Sequence, residues 1–156
     1  ILDIFHIPDN ATEVDHDGVQ GLELGLYGPK NKGFESLSYD PGTRTLYTMR
    51  EGEPFVCLSI PLDEHFRPMT IQSIPLPQLH VRDVASILLE PDGTLWILSE
   101  ESTCVVLLDQ DGRERRTFKL DVDTKSFRPE GITRAPDGRI FIAGEPNILG
   151  EYALPH

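Results

Sequence analysis

One short unit recurs three times in this chain, and that recurrence limits its possible folds more than any other feature. Glu35-Ser36-Leu37 leads to Asp40-Pro41-Gly42 and then to Leu46-Tyr47-Thr48-Met49-Arg50-Glu51. Ala85-Ser86-Ile87 leads to Glu90-Pro91-Asp92-Gly93 and then to Leu95-Trp96-Ile97-Leu98-Ser99-Glu100. Pro129-Glu130-Gly131-Ile132 leads to Ala135-Pro136-Asp137-Gly138 and then to Ile140-Phe141-Ile142-Ala143-Gly144-Glu145. In each, proline pre-sets φ, aspartate can bond the backbone just ahead, and glycine accepts positive φ. Apolar runs on both sides then make a hairpin whose second strand ends on a carboxylate. The copies are spaced by roughly 45 to 50 residues, the period of propeller blades.

The rest of each period supplies two more strands. The first repeat, 33–77, continues through Phe55–Ile60 and Thr70–Ile74, with prolines 61, 68, 75 and 77 marking the turns. The second, 81–120, continues through Cys104–Leu108 and, after Asp109-Gln110-Asp111-Gly112, through Arg115–Leu120. The third, 127–154, reaches a third strand at Tyr152-Ala153-Leu154 and has no fourth. Residues 1–8 alternate as an edge strand, and 9–32 form a long irregular connection. The expected fold is therefore all-β: one partial β-propeller domain of about three four-stranded antiparallel blades, the last incomplete. A β-sandwich is the alternative, but it does not require so long a repeat. Open blade faces predict that further blades or another chain complete the ring. A lone monomer would need residues 1–8 to fold back as the missing strand.

Charge narrows the partners. Asp and Glu number 26 against 14 Lys and Arg, for a net charge of −12. Phosphate backbones and anionic lipid surfaces would be repelled, and no apolar run approaches the length of a transmembrane helix, so neither nucleic acid nor membrane insertion is expected. The chain opens on Ile1 without a visible signal peptide, which suits a processed or partial chain. Cys57 and Cys104 lie inside apolar strands, so buried free thiols are expected, with an inter-blade disulfide as the alternative.

Aligning the repeats gathers carboxylates. Glu35 and Glu130 occupy the same place before the first strand, where the second repeat has Ala85 but supplies Asp83 two residues earlier. Glu51, Glu100 and Glu145 all end second strands. The start of one strand and the end of its antiparallel partner lie at the same end of a hairpin. Up to six carboxylates thus collect on one face, and an innermost first strand would put Glu35, Asp83 and Glu130 around the channel mouth. Repulsion among them is relieved by a divalent cation or by basic partners such as Arg50, Arg82 and Arg128. Hard oxygen ligands suit Ca²⁺ better than Zn²⁺. The competing expectation is that these side chains cap strands and bond backbone amides. Glu13, Asp15, Asp17 and Gly18 match the start of a calcium loop, but Leu24 stands where its bidentate Glu belongs, so a solvated loop is expected. No nucleophile elbow, Walker loop or His-Glu-x-x-His is present.

Five motifs in register give a family resemblance: Asn31-Lys32-Gly33-Phe34-Glu35, Val81-Arg82-Asp83-Val84, Leu98-Ser99-Glu100-Glu101-Ser102, Pro129-Glu130-Gly131-Ile132 and Gly144-Glu145-Pro146-Asn147. Over about residues 27–154 the chain resembles the later portion of the SdiA-regulated family of bacterial β-propellers. That resemblance implies a calcium site at Glu35, Asp83 and Glu130, with Glu145 and Asn147 near it, and an exported protein. It implies no particular reaction. The chain departs from the family at Ala85-Ser86, where Ser-Gly is usual, and at Ser36, where Gly is usual. Three functions follow as expectations: a calcium-binding propeller module, a metal-dependent hydrolase of an ester, lactone or phosphoester, or a metal-free interaction propeller.

Overall fold

The structure is a computed structural model, and it describes residues 2–4, 20–24, 32–76 and 79–153. Those residues hold thirteen strands and no helix. β1 (Leu2–Ile4) and β2 (Gln20–Leu22) form a two-stranded ribbon. The first blade is β3 (Phe34–Asp40), β4 (Thr45–Arg50), β5 (Cys57–Pro61) and β6 (Gln72–Ile74), in that spatial order. The second is β7 (Ser86–Leu89), β8 (Leu95–Ser99), β9 (Cys104–Leu108) and β10 (Glu114–Lys119). The third has β11 (Arg128–Arg134), β12 (Ile140–Glu145) and β13 (Ile148–Tyr152). Each is an antiparallel meander, as the repeated hairpins predict.

The sheets stack face to face with their first strands adjacent: β7 lies beside β3 on one side and β11 on the other. This is the arrangement of propeller blades. Middle strands that face a neighbour on both sides must be apolar on both faces, and every residue of β8 is buried. One face of β8 gives Leu95 and Ile97 to a core with Met49, Cys57 and Val106 of the flanking strands. The other gives Trp96 and Leu98 to a core with Ile132, Ile140 and Ile142 of the third blade. A third cluster, Leu58, Ile60 and Leu62 with Leu24 beyond β2, covers part of the first blade's opposite face. Further in on that face Leu37 and Tyr39 stay 52% and 40% exposed. The free Cys57 and Cys104 are buried in the first core, and burial pushes the Cys57 thiol up to about 12.

The repeated aspartates build the turns. Asp40 accepts from the Gly42 N–H and the Thr43 hydroxyl, and Asp92 and Asp137 accept the N–H groups of Thr94 and Arg139. These bonds hold the three carboxyls below their usual range. Gly93 and Gly138 have φ of 80° and 91°, as the turns require.

Two expectations change. The segment 9–32 is not irregular throughout, because Gln20–Leu22 pairs with Leu2–Ile4 through Leu2↔Leu22 and Ile4↔Gln20. That pairing keeps the first strand away from the third blade, so it does not supply a fourth strand there. The last strand begins at Ile148 rather than near Tyr152, because Pro146-Asn147 turns the chain directly after Glu145 with Asn147 at φ 57°. The calcium-loop-like residues 13–18 lie outside the described residues.

Candidate functional site

The carboxylate end of the blades is shaped by two equivalent β-bulges. The β3–β4 register pairs Phe34 with Arg50 and Ser36 with Met49, leaving Glu35 as the extra residue. The β11–β12 register pairs Pro129 with Gly144 and Gly131 with Ala143, leaving Glu130 as the extra residue. A bulge re-aims the side chain it carries. Glu35 and Glu130 are therefore within their strands rather than ahead of them, and both are exposed. In the second blade the strand opens at Ser86, after the Ala85 N–H bonds the Leu98 carbonyl.

Asp83 plays a different part. It is 3% exposed, and its Oδ1 accepts from Ser99 Oγ at 2.5 Å and the Glu101 N–H at 2.9 Å. Its Oδ2 accepts from the Glu100 N–H at 3.2 Å. Ser99 Oγ in turn takes the Ser102 N–H, so a buried carboxylate and hydroxyl hold the turn that follows β8.

Two cations lace the remaining carboxylates together across the blade boundaries. Lys32 Nζ lies 3.1 Å from Glu51 of the first blade and 3.9 Å from Glu101 of the second, and the Glu51 bond holds its ammonium above the usual range. Arg128 donates Nε and Nη2 to both oxygens of Glu100, at 2.5 and 3.0 Å, and Nη1 to Glu145 at 3.3 Å. Glu130 is 4.0 Å from the same guanidinium. The other two expected charge partners behave otherwise. Arg50 is buried and turns to the carbonyls of Gly52 and Pro54, while its Nη2 has no partner among the described residues. Arg82 is exposed, and its backbone N–H bonds Ser102 Oγ. Asn147 occupies the exposed β12–β13 turn.

Glu35 and Glu130 are left least compensated. Desolvation, then repulsion from Glu51, raises Glu35 above the ordinary carboxylate range against the pull of Lys32. Desolvation, then Glu100, raises Glu130 against the pull of Arg128, with Glu145 and Glu35 adding to the rise. Glu35 is thus the smallest of the contributions to the rise at Glu130, and Glu51 the main carboxylate influence on Glu35. Among the described residues no three His, Cys, Asp or Glu side chains form a metal-holding group. Glu35 and Glu130 suit a hard cation such as calcium, which can complete its shell with water and backbone carbonyls. Asp83, already holding three donors, does not fit as a direct ligand where it stands.

A raised carboxylate destabilises the fold once ionised. As pH rises, the unfolded chain ionises first, so stability falls between the unfolded and folded pKa values and stays lowered above both. Glu130→Gln is thus expected to raise the metal-free melting temperature at pH 7 by roughly 1 to 2 °C, with no gain at a pH below the unfolded pKa of about 4. Equal gains at both pH values would show that the carboxylate carries no such strain.

The sequence matches the SdiA-regulated family over residues 1–152. This chain belongs to the SdiA-regulated family. Its fold is a β-propeller, shared with solved structures of low identity. A gluconolactonase from Xanthomonas campestris is 17% identical with a TM-score of 0.57, over 76% of this chain and 37% of that one. A catalytically inactive virginiamycin B lyase from Staphylococcus aureus, with quinupristin, is 18% identical with a TM-score of 0.51, over 81% and 43%. A luciferin-regenerating enzyme is 9% identical with a TM-score of 0.53, over 72% and 37%. At these identities the likeness shows the fold alone. The SdiA-regulated chain described here thus spans about two-fifths of the length of such propellers.

The family motifs in the sequence hold the main parts of this end, but two contributors were not assigned roles from sequence. Lys32 lies three residues before Glu35, and Ser99 directly precedes Glu100. The signal is present in both: a cation three residues ahead of a repeated carboxylate, and a hydroxyl at the head of the Ser99–Ser102 turn.

Proposed function

We propose that this SdiA-regulated propeller is a calcium-binding module whose channel mouth holds the ion through Glu35 and Glu130. One observation carries the proposal: two equivalent bulges place Glu35 and Glu130 at the same end of the blades, where desolvation and neighbouring carboxylates raise both and only part of that charge is met by Arg128 and Lys32. In this reading Asp83 organises the adjoining turn, and Glu51, Glu100 and Glu145 hold the flanking cations. Two carboxylates with water in the remaining positions make a weak site, of the class found in extracellular modules with dissociation constants of about 10⁻⁴ to 10⁻³ M. Such a site fills where calcium is millimolar, which is consistent with export.

Thermal melts test it. Calcium at a hundredfold excess over the dissociation constant should stabilise the protein by about 2.7 kcal/mol relative to chelator. Glu130→Gln should lose most of that gain, and Glu151→Gln, in the third blade away from the mouth, should keep it. Equal calcium responses in Glu130→Gln and the parent protein would remove the site.

A second reading is favoured by the same raised carboxyls: a hydrolase of an ester or lactone in which Glu35 takes a proton from the attacking water. Loss of lactone or ester hydrolysis in Glu35→Gln, with calcium binding measured alongside, would separate an enzyme from a binding module. No hydrolysis of any such substrate by the calcium-loaded parent protein would reject it.

A further inference from the structure

The third blade is one strand short, and the free edge of β13 pairs with no other strand among the described residues. Native sheets blunt such edges with brevity, proline or positive charge. The other two blades do so. β6 has three residues with Pro75 just beyond it, and β10 carries Arg115, Arg116 and Lys119. β13 has five residues, with no proline, lysine or arginine. Its one charge, Glu151, is met by Arg139 at 3.3 Å, and Ile148 and Leu149 stand 41% and 69% exposed.

The place beside this edge is already shaped. First strands of neighbouring blades lie together, so the four-stranded second blade reaches one strand beyond β13. Beneath that overhang runs an open cleft of about 440 Å³, within the roughly 300 to 1,000 Å³ of ligand sites. Trp96 and Val105 of the second blade and Ile140, Ile142 and Tyr152 of the third make it apolar. Gly150 shares the Tyr152 face and adds no side chain, so the tyrosine ring lies over it, 2.6 Å from where a Cβ would stand. On β10, Phe118 and Arg116 pair with Val105 and Leu107 and so face the third blade. The Arg116 guanidinium lies 4.5 Å from the Phe118 ring centre. In a chain of net charge −12, Arg116 is in no ion pair with a described residue. Asp121 borders the cleft five residues further along.

We propose that β13 is completed by one extended segment of a separate protein chain, apolar at alternate positions and bearing a carboxylate for Arg116. Its backbone adds to the β13 edge, and alternate side chains enter the cleft. A second copy of this chain fits poorly. Antiparallel pairing of β13 with β13 would bring that copy's β10 over this β13, where β9 already packs through Val105 and Leu107. No residue of this site belongs to the mouth, so it does not depend on calcium.

The end-blocked peptide Thr-Val-Thr-Val-Thr-Glu-Thr and its Gln counterpart probe it. With the Glu peptide, the amides of Ile148–Tyr152 should shift saturably and exchange more slowly. The Gln peptide should need about tenfold higher concentration, the effect of one charge-assisted hydrogen bond. In Arg116→Gln the two peptides should bind alike, with the amide spectrum of the variant reporting that the fold persists. Alternate N–H groups of an added strand point at its neighbour. N-methylation of one alternate set in the peptide should therefore abolish binding, and methylation of the other should leave it. Binding that tolerates both sets, equal affinity for the two peptides in the parent protein, or no saturable shift in β13 would overturn the proposal. So would a Glu preference unchanged in Arg116→Gln. Protection of β13 that appears in the protein alone as its concentration rises would assign the edge to a second copy instead.

Discussion

Gly144→Ala should destabilise this protein by about 3 to 5 kcal/mol, at the severe end of single substitutions. For a chain of this size that lowers the melting temperature by roughly 6 to 20 °C. Gly144 stands opposite Pro129 beside the Glu130 bulge, and a Cβ there would lie 2.0 Å from the Arg128 carbonyl oxygen and 2.7 Å from the Phe127 ring. The obstructing atom is backbone, so no rotamer change relieves it. The strands must part, and the bulge that aims Glu130 must deform with them. Gly131→Ala is the informative companion, because its Cβ would meet only Ala143 at 4.0 Å. Thermal melts of both variants check this. A Gly144→Ala protein as stable as Gly131→Ala would mean that the bulge geometry is not as described.

Asp83→Ala should cost about 3 to 4 kcal/mol, because buried hydrogen-bonding groups left unpartnered cost roughly 1 to 3 kcal/mol each. The lost carboxylate leaves the Ser99 hydroxyl and the Glu100 and Glu101 N–H groups without their acceptor. Water can reach the two half-exposed amides in part, which keeps the total below the sum. If Asp83 organises the turn and is not a calcium ligand, Asp83→Ala loses stability equally with and without calcium. A loss confined to calcium-containing buffer would instead make Asp83 a ligand. Urea denaturation in calcium and in chelator distinguishes the two.

Much of the fold was legible because the second strands carry an unambiguous signal. Leu95 to Leu98 is apolar at every position, and only a sheet covered on both faces permits that. The turns were legible because Asp40, Asp92 and Asp137 bond just ahead of themselves through purely local chemistry. Gln20–Leu22 was not, since three residues with one leucine have no period to detect, and its pairing with Leu2–Ile4 is a tertiary event. The last hairpin is hard to read from sequence because Pro146-Asn147 directly follows the repeated carboxylate Glu145, although Asn tolerates the positive φ that a tight turn needs.

At the mouth, the repeat alignment placed the right residue types at the right end, but not their roles. Glu35 and Asp83 stand at related places in their repeats, yet one is the extra residue of a bulge and the other a buried turn acceptor. Alignment cannot show a bulge, because the extra residue appears only when the facing strand is in register. Nor does it show that Arg50 is drawn inward to the Gly52 and Pro54 carbonyls while Arg128 reaches Glu100 in the next blade. For Arg128 the difference lies in a contact 28 residues away and between sheets, and for Arg50 in the path of the loop that follows its own strand.

The central claim is that Glu35 and Glu130 hold one calcium ion, and calorimetric titration of calcium into chelator-treated protein tests it most directly. The account predicts a single site with a dissociation constant of about 10⁻⁴ to 10⁻³ M, no measurable binding heat in the Glu35→Gln, Glu130→Gln double variant, and undiminished binding in Glu151→Gln. Binding that survives the double substitution, or no calcium binding by the parent protein, would contradict it.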